Sequence, residues 1–144
     1  MRPIERRIFI EAPPEDVWAI AGDVGGADAW ISSIVESWVE GDLRYAKLDR
    51  DRGTVAERIL FHSDAERRLE YELADAGASM AAFRASFAVA PEERGSIVVW
   101  SAELTAAADA DEAEIAGGIE GTYRDSLENL RALVHQRRDR RAEA

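Results

Sequence analysis

Apolar and polar residues alternate along most of the chain, and this period of two predicts a sheet-rich domain. Isoleucines on one face predict a first strand at residues 3–11. From residue 36 onward the same period recurs in six segments separated by short turn-forming stretches. These six predicted strands cover residues 36–41, 43–49, 54–62, 67–74, 80–90 and 96–106. Because each connection is short, we expect neighbouring strands to be antiparallel.

Two short segments between the first and second predicted strands have the period of a helix instead. The segment APPEDVWAIAGD has prolines at its start and acidic residues in its first turn, as helix N-termini prefer. A second short helix is predicted in ADAWISSIVES, residues 27–37, with Trp30 on its apolar side. Gly25 and Gly26 separate the two helices. These glycines, like the DAGA stretch at 75–78, are interpreted either as mobile gates or as ordinary turn residues.

A long C-terminal helix is predicted from Asp109 onward, where Asp109 and Glu112 have the spacing of a capping box. Its apolar stripe consists of Ile115, Ile119, Tyr123, Leu127, Leu130 and Val134. Gly117, Gly118 and Gly121 interrupt it, and each glycine costs about 1 kcal/mol relative to alanine in a helix. They predict either a widened cavity beside the helix or tight packing of the helix on the sheet.

The bulk composition bounds the class of protein. The chain has 144 residues, of which 47% are hydrophobic and 33% charged, which fits one globular domain. We expect this domain to cover residues 1–136, with a basic, frayed tail at 137–144. The net charge of -11 argues against nucleic acid as a partner, because phosphates would be repelled. No apolar run is long enough for a membrane span or a signal peptide, so we expect a cytoplasmic protein.

The order of the elements and four of their segments resemble a known superfamily. The segments are IEAPPEDVWAIAGDVGGADAW (10–30), GTVAERILFHSDAERRLEYEL (53–73), SIVVWSAEL (96–104) and GTYRDSLENLRALV (121–134). They resemble the START-like superfamily, also called SRPBCC, and within it the polyketide cyclase/dehydrase-like group. The resemblance implies an α+β helix-grip fold, in which a curved seven-stranded antiparallel sheet wraps around a long C-terminal helix. It also implies a cavity for a small hydrophobic ligand between the sheet and that helix.

One residue of the predicted sheet does not fit its surroundings. Alternation places Val55, Glu57, Ile59 and Phe61 on the helix-facing side of one strand and His62 on the outer side. A carboxylate in an apolar cavity resists ionisation unless a cation compensates, which suits glutamate for proton transfer. Glu57 is therefore predicted to meet the ligand, as the matching glutamate does in the plant hormone receptors of the superfamily. The alternatives are an ion pair with Arg6 or a place at the cavity rim.

Aromatic and apolar residues of the same face complete the candidate site. Tyr71 and Tyr123 are predicted to act with Glu57 as catalytic residues, because a buried phenol requires a hydrogen-bond partner. The predicted ligand-binding residues are Trp30, Ile59, Phe61, Phe83, Phe87, Trp100 and Ile119. For the aromatic residues taken singly, plain core packing is the competing interpretation.

Several kinds of chemistry have no support in the sequence. There are no cysteines and only two histidines, so neither a metal-ligand pattern nor a histidine-based nucleophile triad is present. Dinucleotide and phosphate-binding glycine motifs are missing as well, and we expect no cofactor. The favoured function is a polyketide cyclase-like or dehydratase-like enzyme. The alternatives are a non-catalytic carrier or sensor of a lipid-like ligand, or an adaptor with a filled core, and a homodimer is left open.

Overall fold

The framework of the protein is a single antiparallel sheet. The computed structural model describes residues 1–75 and 79–143. Its strands are β1 (Arg2–Ile10), β2 (Ile34–Glu40), β3 (Leu43–Leu48), β4 (Thr54–Ser63), β5 (Arg68–Leu73), β6 (Met80–Glu92) and β7 (Gly95–Ala106). The strand order is β1-β7-β6-β5-β4-β3-β2, with every neighbouring pair antiparallel. The predicted seven-stranded sheet is confirmed.

Helices cover one face of this sheet. Helix α1 spans Pro14–Ala21, a short 3-10 helix spans Val24–Ala29, and helix α2 spans Glu112–Glu143. The two predicted short helices after β1 are confirmed, but the second spans Val24–Ala29 rather than residues 27–37, and β2 already begins at Ile34. Two of the six residues in the 3-10 helix are glycines, which are poor helix formers. The residues after it gain more by pairing with β3 than by continuing a helix.

Helix α2 begins later than the capping-box pattern predicts. Asp111 is its N-cap, since Asp111 Oδ1 accepts a hydrogen bond from the Glu114 N–H at 3.2 Å. Glu112 Oε2 instead accepts from the Ala106 N–H at 3.3 Å and so connects the helix start to the end of β7. The predicted cap at Asp109 is wrong because this contact with β7 delays the first helical turn.

The core lies between the sheet and the helices. Helix α2 packs on β1, β7 and α1 and buries Tyr123, Leu127, Leu130 and Val134. It also holds the segment that follows the 3-10 helix: Ser126 Oγ accepts from the Ser32 N–H at 2.9 Å, and the Asn129 amide donates to the Trp30 carbonyl at 3.2 Å. The cover over the sheet is therefore fixed to α2 by polar contacts as well as by apolar packing.

The C-terminal arginines are part of α2. Sequence analysis predicts a frayed tail after residue 136, whereas the structure is helical through Glu143. Arg138 and Arg141 both form ion pairs with Asp16 of α1, at 3.7 and 3.0 Å.

The predicted DAGA loop at 75–78 falls for the most part outside the described residues.

An irregularity in β4 reverses the facing of its last residues. Ile59 pairs with Tyr71 but Phe61 pairs with Glu70, so one extra residue, Leu60, is inserted as a β-bulge. Phe61 consequently lies on the outer face, where the Arg68 guanidinium is 4.6 Å from its ring centroid. His62 lies on the inner face, where its Nε2 is 3.0 Å from the Gly22 carbonyl oxygen. The predicted facing of both residues is wrong, because strict alternation does not allow for the bulge.

The three glycines of α2 face open space. A Cβ added at Gly117 or Gly118 would meet no atom within 4 Å, and at Gly121 it would meet only the Arg124 guanidinium at 3.8 Å. Tight packing of these glycines on the sheet is therefore wrong. The helix nevertheless continues through them without a break. Gly22 is different, because a Cβ there would lie 2.3 Å from Trp18 Cε2.

Alanine substitution distinguishes these two kinds of glycine. We expect Gly118→Ala to raise the free energy of unfolding by about 1 kcal/mol, because it adds helix propensity without a clash. Gly22→Ala is the matched control and should lower the free energy of unfolding, since the Trp18 indole would have to move. Urea unfolding of the two variants and the parent measures both effects. A loss of stability in Gly118→Ala would show that the helix face is not open there.

Candidate functional site

A buried ion pair lies on the inner face of the sheet. Arg44 of β3 and Glu57 of β4 are direct cross-strand partners, and Arg44 Nε donates to Glu57 Oε1 at 2.9 Å. The Arg44 side chain is 4% exposed and that of Glu57 is 14% exposed. Glu57 thus has the predicted inward facing, but its partner is Arg44. The alternative pairing with Arg6 is wrong, since Glu57 pairs with Arg44 and Arg6 forms no ion pair with any residue that the structure describes.

Arg44 connects this ion pair to the surrounding elements. Its Nη1 donates to the Val24 carbonyl of the 3-10 helix at 3.4 Å, and its guanidinium carbon is 4.8 Å from the centroid of the Tyr71 ring. Burial acts to lower the pKa of Arg44, but the charge of Glu57 and the neighbouring Tyr71 outweigh it, so the pKa is raised. The guanidinium is therefore a permanent positive charge inside the protein.

Five aromatic residues surround the inner end of this ion pair. Trp100 Nε1 donates to Tyr71 Oη at 3.1 Å, and the Trp100 ring stacks on Tyr123 with centroids 3.7 Å apart and planes 9° apart. Trp30 packs against Phe87 and Trp100, with centroid distances of 5.5 and 5.3 Å. Each of the five is buried. Together they form a continuous aromatic cluster between the sheet and α2.

The two phenols of the cluster stay protonated at neutral pH. Burial and the negative charge of Glu57 raise the pKa of Tyr71 to about 12. Burial and the neighbouring Tyr71 raise the pKa of Tyr123 well above its ordinary value. Both hydroxyls are therefore hydrogen-bond donors rather than bases.

Two polar atoms of the cluster have no hydrogen-bond partner among the described residues. They are Trp30 Nε1 and Tyr123 Oη, and both are buried; the Tyr71 hydroxyl lies near Tyr123 Oη but not in hydrogen-bonding geometry. Buried polar groups are hydrogen-bonded in the great majority of cases, and an unpartnered one costs about 1–3 kcal/mol. A ligand oxygen or an ordered water in this region would satisfy them.

The space between these side chains is small. The cavity has a volume of about 10 Å³, enough for roughly one water molecule. Binding sites for drug-sized molecules have volumes of about 300–1,000 Å³. Its walls are Ala21, Asp23, Ala27, Trp30, Ile31, Arg44, Leu69, Tyr71, Phe87 and Trp100. The interior in which the resemblance implies a ligand is thus occupied by the protein's own side chains in this structure.

A larger opening lies elsewhere on the surface. A cleft of about 720 Å³ follows the turn between β6 and β7 and the end of α2, where it is lined by Glu11, Arg94, His135 and Arg138 among others. It is open and contains none of the predicted site residues. We therefore locate the candidate site at the small interior cavity, where the aromatic and charged groups meet.

The structure brings together some of the predicted site residues. Trp30, Tyr71, Phe87 and Trp100 line the cavity, and Tyr123 stacks on its wall. Glu57 does not line it but lies directly behind Arg44. Ile59, Phe83 and Ile119 are only partly buried and pack at the margin of the core, and Phe61 lies on the outer face.

Sequence analysis missed Arg44, the one charged side chain of the cavity wall that is almost fully buried. The signal was available in principle, because Arg44 and Glu57 are oppositely charged cross-strand neighbours. Detecting it required the exact register of β3 and β4, which the loop DRDRG at 49–53 does not specify by its composition.

Metal-binding clusters and membrane-spanning helices are both absent from the part of the chain that the structure describes. Within residues 1–75 and 79–143, no three histidine, aspartate or glutamate side chains are grouped so that they could hold a metal ion. Nor is any helix in that part of the chain long and apolar enough to cross a membrane.

A double-mutant cycle tests the buried ion pair. We expect Arg44→Met alone to lower the free energy of unfolding by about 3–5 kcal/mol, because Glu57 keeps its charge without a buried partner. The pair Arg44→Met and Glu57→Leu together should cost clearly less than the sum of the single changes. Guanidinium unfolding measures all four forms. Additive losses would show that the two charges do not depend on each other.

The stability should also depend on alkaline pH through Tyr71. Its pKa is about 12 in the folded protein and 10.0 ordinarily, so the folded state holds the proton more tightly than the unfolded chain. This stabilisation is complete below the ordinary pKa and is lost as pH rises toward the folded-state pKa, in total about 2–3 kcal/mol. We expect Tyr71→Phe to flatten this loss, measured as the free energy of unfolding against pH. Tyr45→Phe removes a phenol from the outer face as a control, and an unchanged slope in Tyr71→Phe would contradict the assignment.

Comparison with known proteins identifies the family of the chain. The model of the family described as "Polyketide cyclase / dehydrase and lipid transport" matches residues 1–135. No curated protein sequence matches the chain.

Several solved structures share the fold. The XoxI protein from Bacillus cereus has a TM-score of 0.84 at 24% identity, with 93% of this chain and 96% of that one covered. The Zhui aromatase/cyclase from Streptomyces sp. R1128 has a TM-score of 0.79 at 15% identity, covering 94% of each chain. A START superfamily protein from Mycobacterium smegmatis has a TM-score of 0.79 at 10% identity, covering 93% and 97%. The chain therefore has the helix-grip fold of the START-like superfamily and belongs to the polyketide cyclase/dehydrase and lipid transport family.

Proposed function

We propose that the protein binds a small aromatic or polyketide-type molecule between the sheet and α2 and catalyses its cyclisation or dehydration. The observation that carries the proposal is the position of the Arg44–Glu57 pair against an aromatic cluster with two unpartnered polar atoms. Such a site combines flat apolar walls with a fixed positive charge and protonated phenols, which suit an oxygenated aromatic compound. The family description and the likeness to an aromatase/cyclase support the same class of chemistry.

Glu57 and Arg44 could each perform one part of a dehydration. Glu57 lies behind Arg44, so a bound substrate would have to reach it past the guanidinium. Its Oε1 accepts the hydrogen bond of Arg44, and Oε2, which receives none from a described residue, is the oxygen that would take the proton next to a ketone. Arg44 would stabilise the enolate oxygen that forms, as preorganised donors do for developing negative charge. The β-hydroxyl group then leaves as water, with the proton returned by Glu57, and a carbon–carbon double bond is formed. No oxidant or reductant is required.

The same groups serve a cyclisation. The enolate carbon attacks a second carbonyl of the same molecule, a carbon–carbon bond forms as the carbonyl π bond breaks, and the new alkoxide takes up the proton that Glu57 removed. Tyr71 and Tyr123 are proposed to orient the carbonyl oxygens as hydrogen-bond donors. The aromatic walls hold the chain folded, which removes part of the entropic barrier of ring closure.

A second candidate is a non-catalytic carrier or sensor. The ion pair favours it, because Glu57 is already engaged by Arg44 and does not line the cavity. In that case Arg44 and the phenols hold the polar end of a bound molecule that leaves unchanged. The family description names lipid transport beside the cyclases.

Native mass spectrometry of the gently purified protein tests ligand binding first. A retained molecule of aromatic or polyketide type would support the proposal, and its mass would define the compound class. A retained acyl lipid would favour the carrier. A protein that retains no molecule and takes up neither an added aromatic compound nor an added acyl lipid would contradict both.

Replacement of Glu57 separates the enzyme from the carrier. The probe is a β-hydroxy ketone that carries a naphthyl ring, whose loss of water gives a strongly absorbing enone. We expect Glu57→Gln to lower turnover by about 10²–10⁴-fold, the usual contribution of an acid–base group, while probe binding is retained. Glu72→Gln changes a carboxylate of the neighbouring strand that has the opposite parity to Tyr71 and is the matched control. Full turnover in Glu57→Gln would exclude Glu57 as the acid–base group, and no turnover by the parent would favour the carrier.

A further inference from the structure

Trp30 has an unusual place at the candidate site. It follows directly after the 3-10 helix, and its backbone carbonyl is held by the Asn129 amide of α2. Its indole points inward, is 5% exposed and forms part of the cavity wall. The ring contacts Phe87 of β6 and Trp100 of β7, and these two rings also contact each other.

The Trp30 indole is well packed, but its N–H lacks a hydrogen-bond acceptor among the described residues. Its Nε1 is buried and has no acceptor among the described residues, whereas Trp18 Nε1 and Trp100 Nε1 donate to Asp64 and Tyr71. A buried indole N–H usually finds a partner. Packing therefore holds this ring in place without any hydrogen bond of its own, and a change of side-chain rotamer would break none.

The ring also forms one wall of the small remaining cavity. The cavity that remains beside it holds about 10 Å³, and it touches Arg44 and Tyr71 as well as the aromatic walls. Any ligand larger than a water molecule must therefore displace a wall residue. Among the aromatic wall residues, Tyr71, Phe87 and Trp100 belong to the central strands, where movement would disturb the sheet. Trp30 belongs to the connection between the 3-10 helix and β2, outside every strand.

The backbone before Trp30 is suited to such a movement. The 3-10 helix contains Gly25 and Gly26, and Gly26 already departs from helical geometry with φ −96° and ψ 20°. Glycine tolerates a wider range of backbone angles than any other residue. Trp30 can therefore change its direction by local adjustment while its carbonyl stays bound to Asn129.

We propose that the Trp30 indole is an internal substitute for the ligand: it occupies the place of the ligand's ring and leaves when the ligand binds. This inference rests on the proposed function and defines its substrate class. The indole contacts the rings of both Phe87 and Trp100, so the place it would vacate has aromatic walls and suits a planar fused aromatic ring better than a flexible acyl chain. Arg44 and Tyr71 border the same cavity, so the ring should carry a hydroxyl or carbonyl oxygen at the end that faces them.

Removal of the indole is the direct test, with naphthol and naphthalene as probes in isothermal titration. We expect Trp30→Ala to bind naphthol at least tenfold more tightly than the parent protein, because the ligand no longer competes with the indole. Naphthol should bind more tightly than naphthalene, because only naphthol has an oxygen for Arg44 and Tyr71. Phe87→Ala is the matched control: it also removes a ring, but one that the inference assigns to the permanent wall, so it should not gain affinity.

Two outcomes would overturn the inference. One is that Trp30→Ala binds naphthol no more tightly than the parent, and the other is that Phe87→Ala gains as much, which would indicate an ordinary cavity. Thermal unfolding checks that each variant is folded, and Trp30→Leu, which keeps more of the apolar volume, replaces Trp30→Ala if that variant is unfolded. If the parent itself binds naphthol tightly and Trp30→Ala adds nothing, the substitute role fails while ligand binding at the site stands. The Glu57→Gln comparison decides the proposed reaction separately.

Discussion

The buried charge of Arg44 is the constraint on which the inner face of the sheet depends. A guanidinium removed from water requires a compensating charge and hydrogen-bond acceptors, and Glu57 and the Val24 carbonyl supply them. These contacts fix the register of β3 against β4 and hold the 3-10 helix over the sheet. They also position the Tyr71 ring, which lies against the guanidinium. One charged group thus determines the arrangement of three neighbouring elements.

The aromatic cluster continues this arrangement toward α2. Tyr71 accepts a hydrogen bond from Trp100, Trp100 stacks on Tyr123, and Tyr123 lies on the buried side of α2. The cluster therefore connects the polar end of the site to the helix by a sequence of direct contacts. Such a connection means that a ligand that alters Arg44 or Tyr71 also alters the packing of α2. The interior of the domain is consequently both its core and its candidate site.

Most of the fold could be predicted from the sequence, because the signals that determine it are local and repeated. Alternation along β5, β6 and β7 correctly placed Tyr71, Phe87 and Trp100 on the inner face, and the apolar stripe of α2 placed Tyr123 against them. The errors share a cause. The bulge at Leu60, the cap at Asp111 and the partner of Glu57 all depend on how one element contacts the next along the chain, which the periodicity of a single element does not encode. A carboxylate on an inner face indicates that a cation is needed but does not say which strand provides it.

The free volume of the site is even harder to predict from the sequence than these contacts are. A list of inward aromatic residues is compatible with a wide cavity or with a filled core, because the outcome depends on how these side chains pack. Trp30 is predicted as a wall residue, and in the structure its ring contacts those of Phe87 and Trp100 beside a cavity of about 10 Å³. Whether such a ring is permanent core or a replaceable occupant is a question of energetics and not of pattern.

The bulge in β4 has a consequence for how this protein can diversify. Before Leu60 the strand contributes Glu57 to the candidate site, and after it the strand contributes His62 to the contact with Trp18 and Gly22 of α1. The bulge at Leu60 therefore separates two parts of β4. The part before it contributes to the candidate site, and the part after it contacts α1. Substitutions in the first part can change what the site recognises while α1 keeps its attachment. If Leu60 were accommodated in a regular strand instead of a bulge, Phe61 would turn inward and His62 outward, and the contact with α1 would be lost; deletion of Leu60 would leave the facing of both residues unchanged.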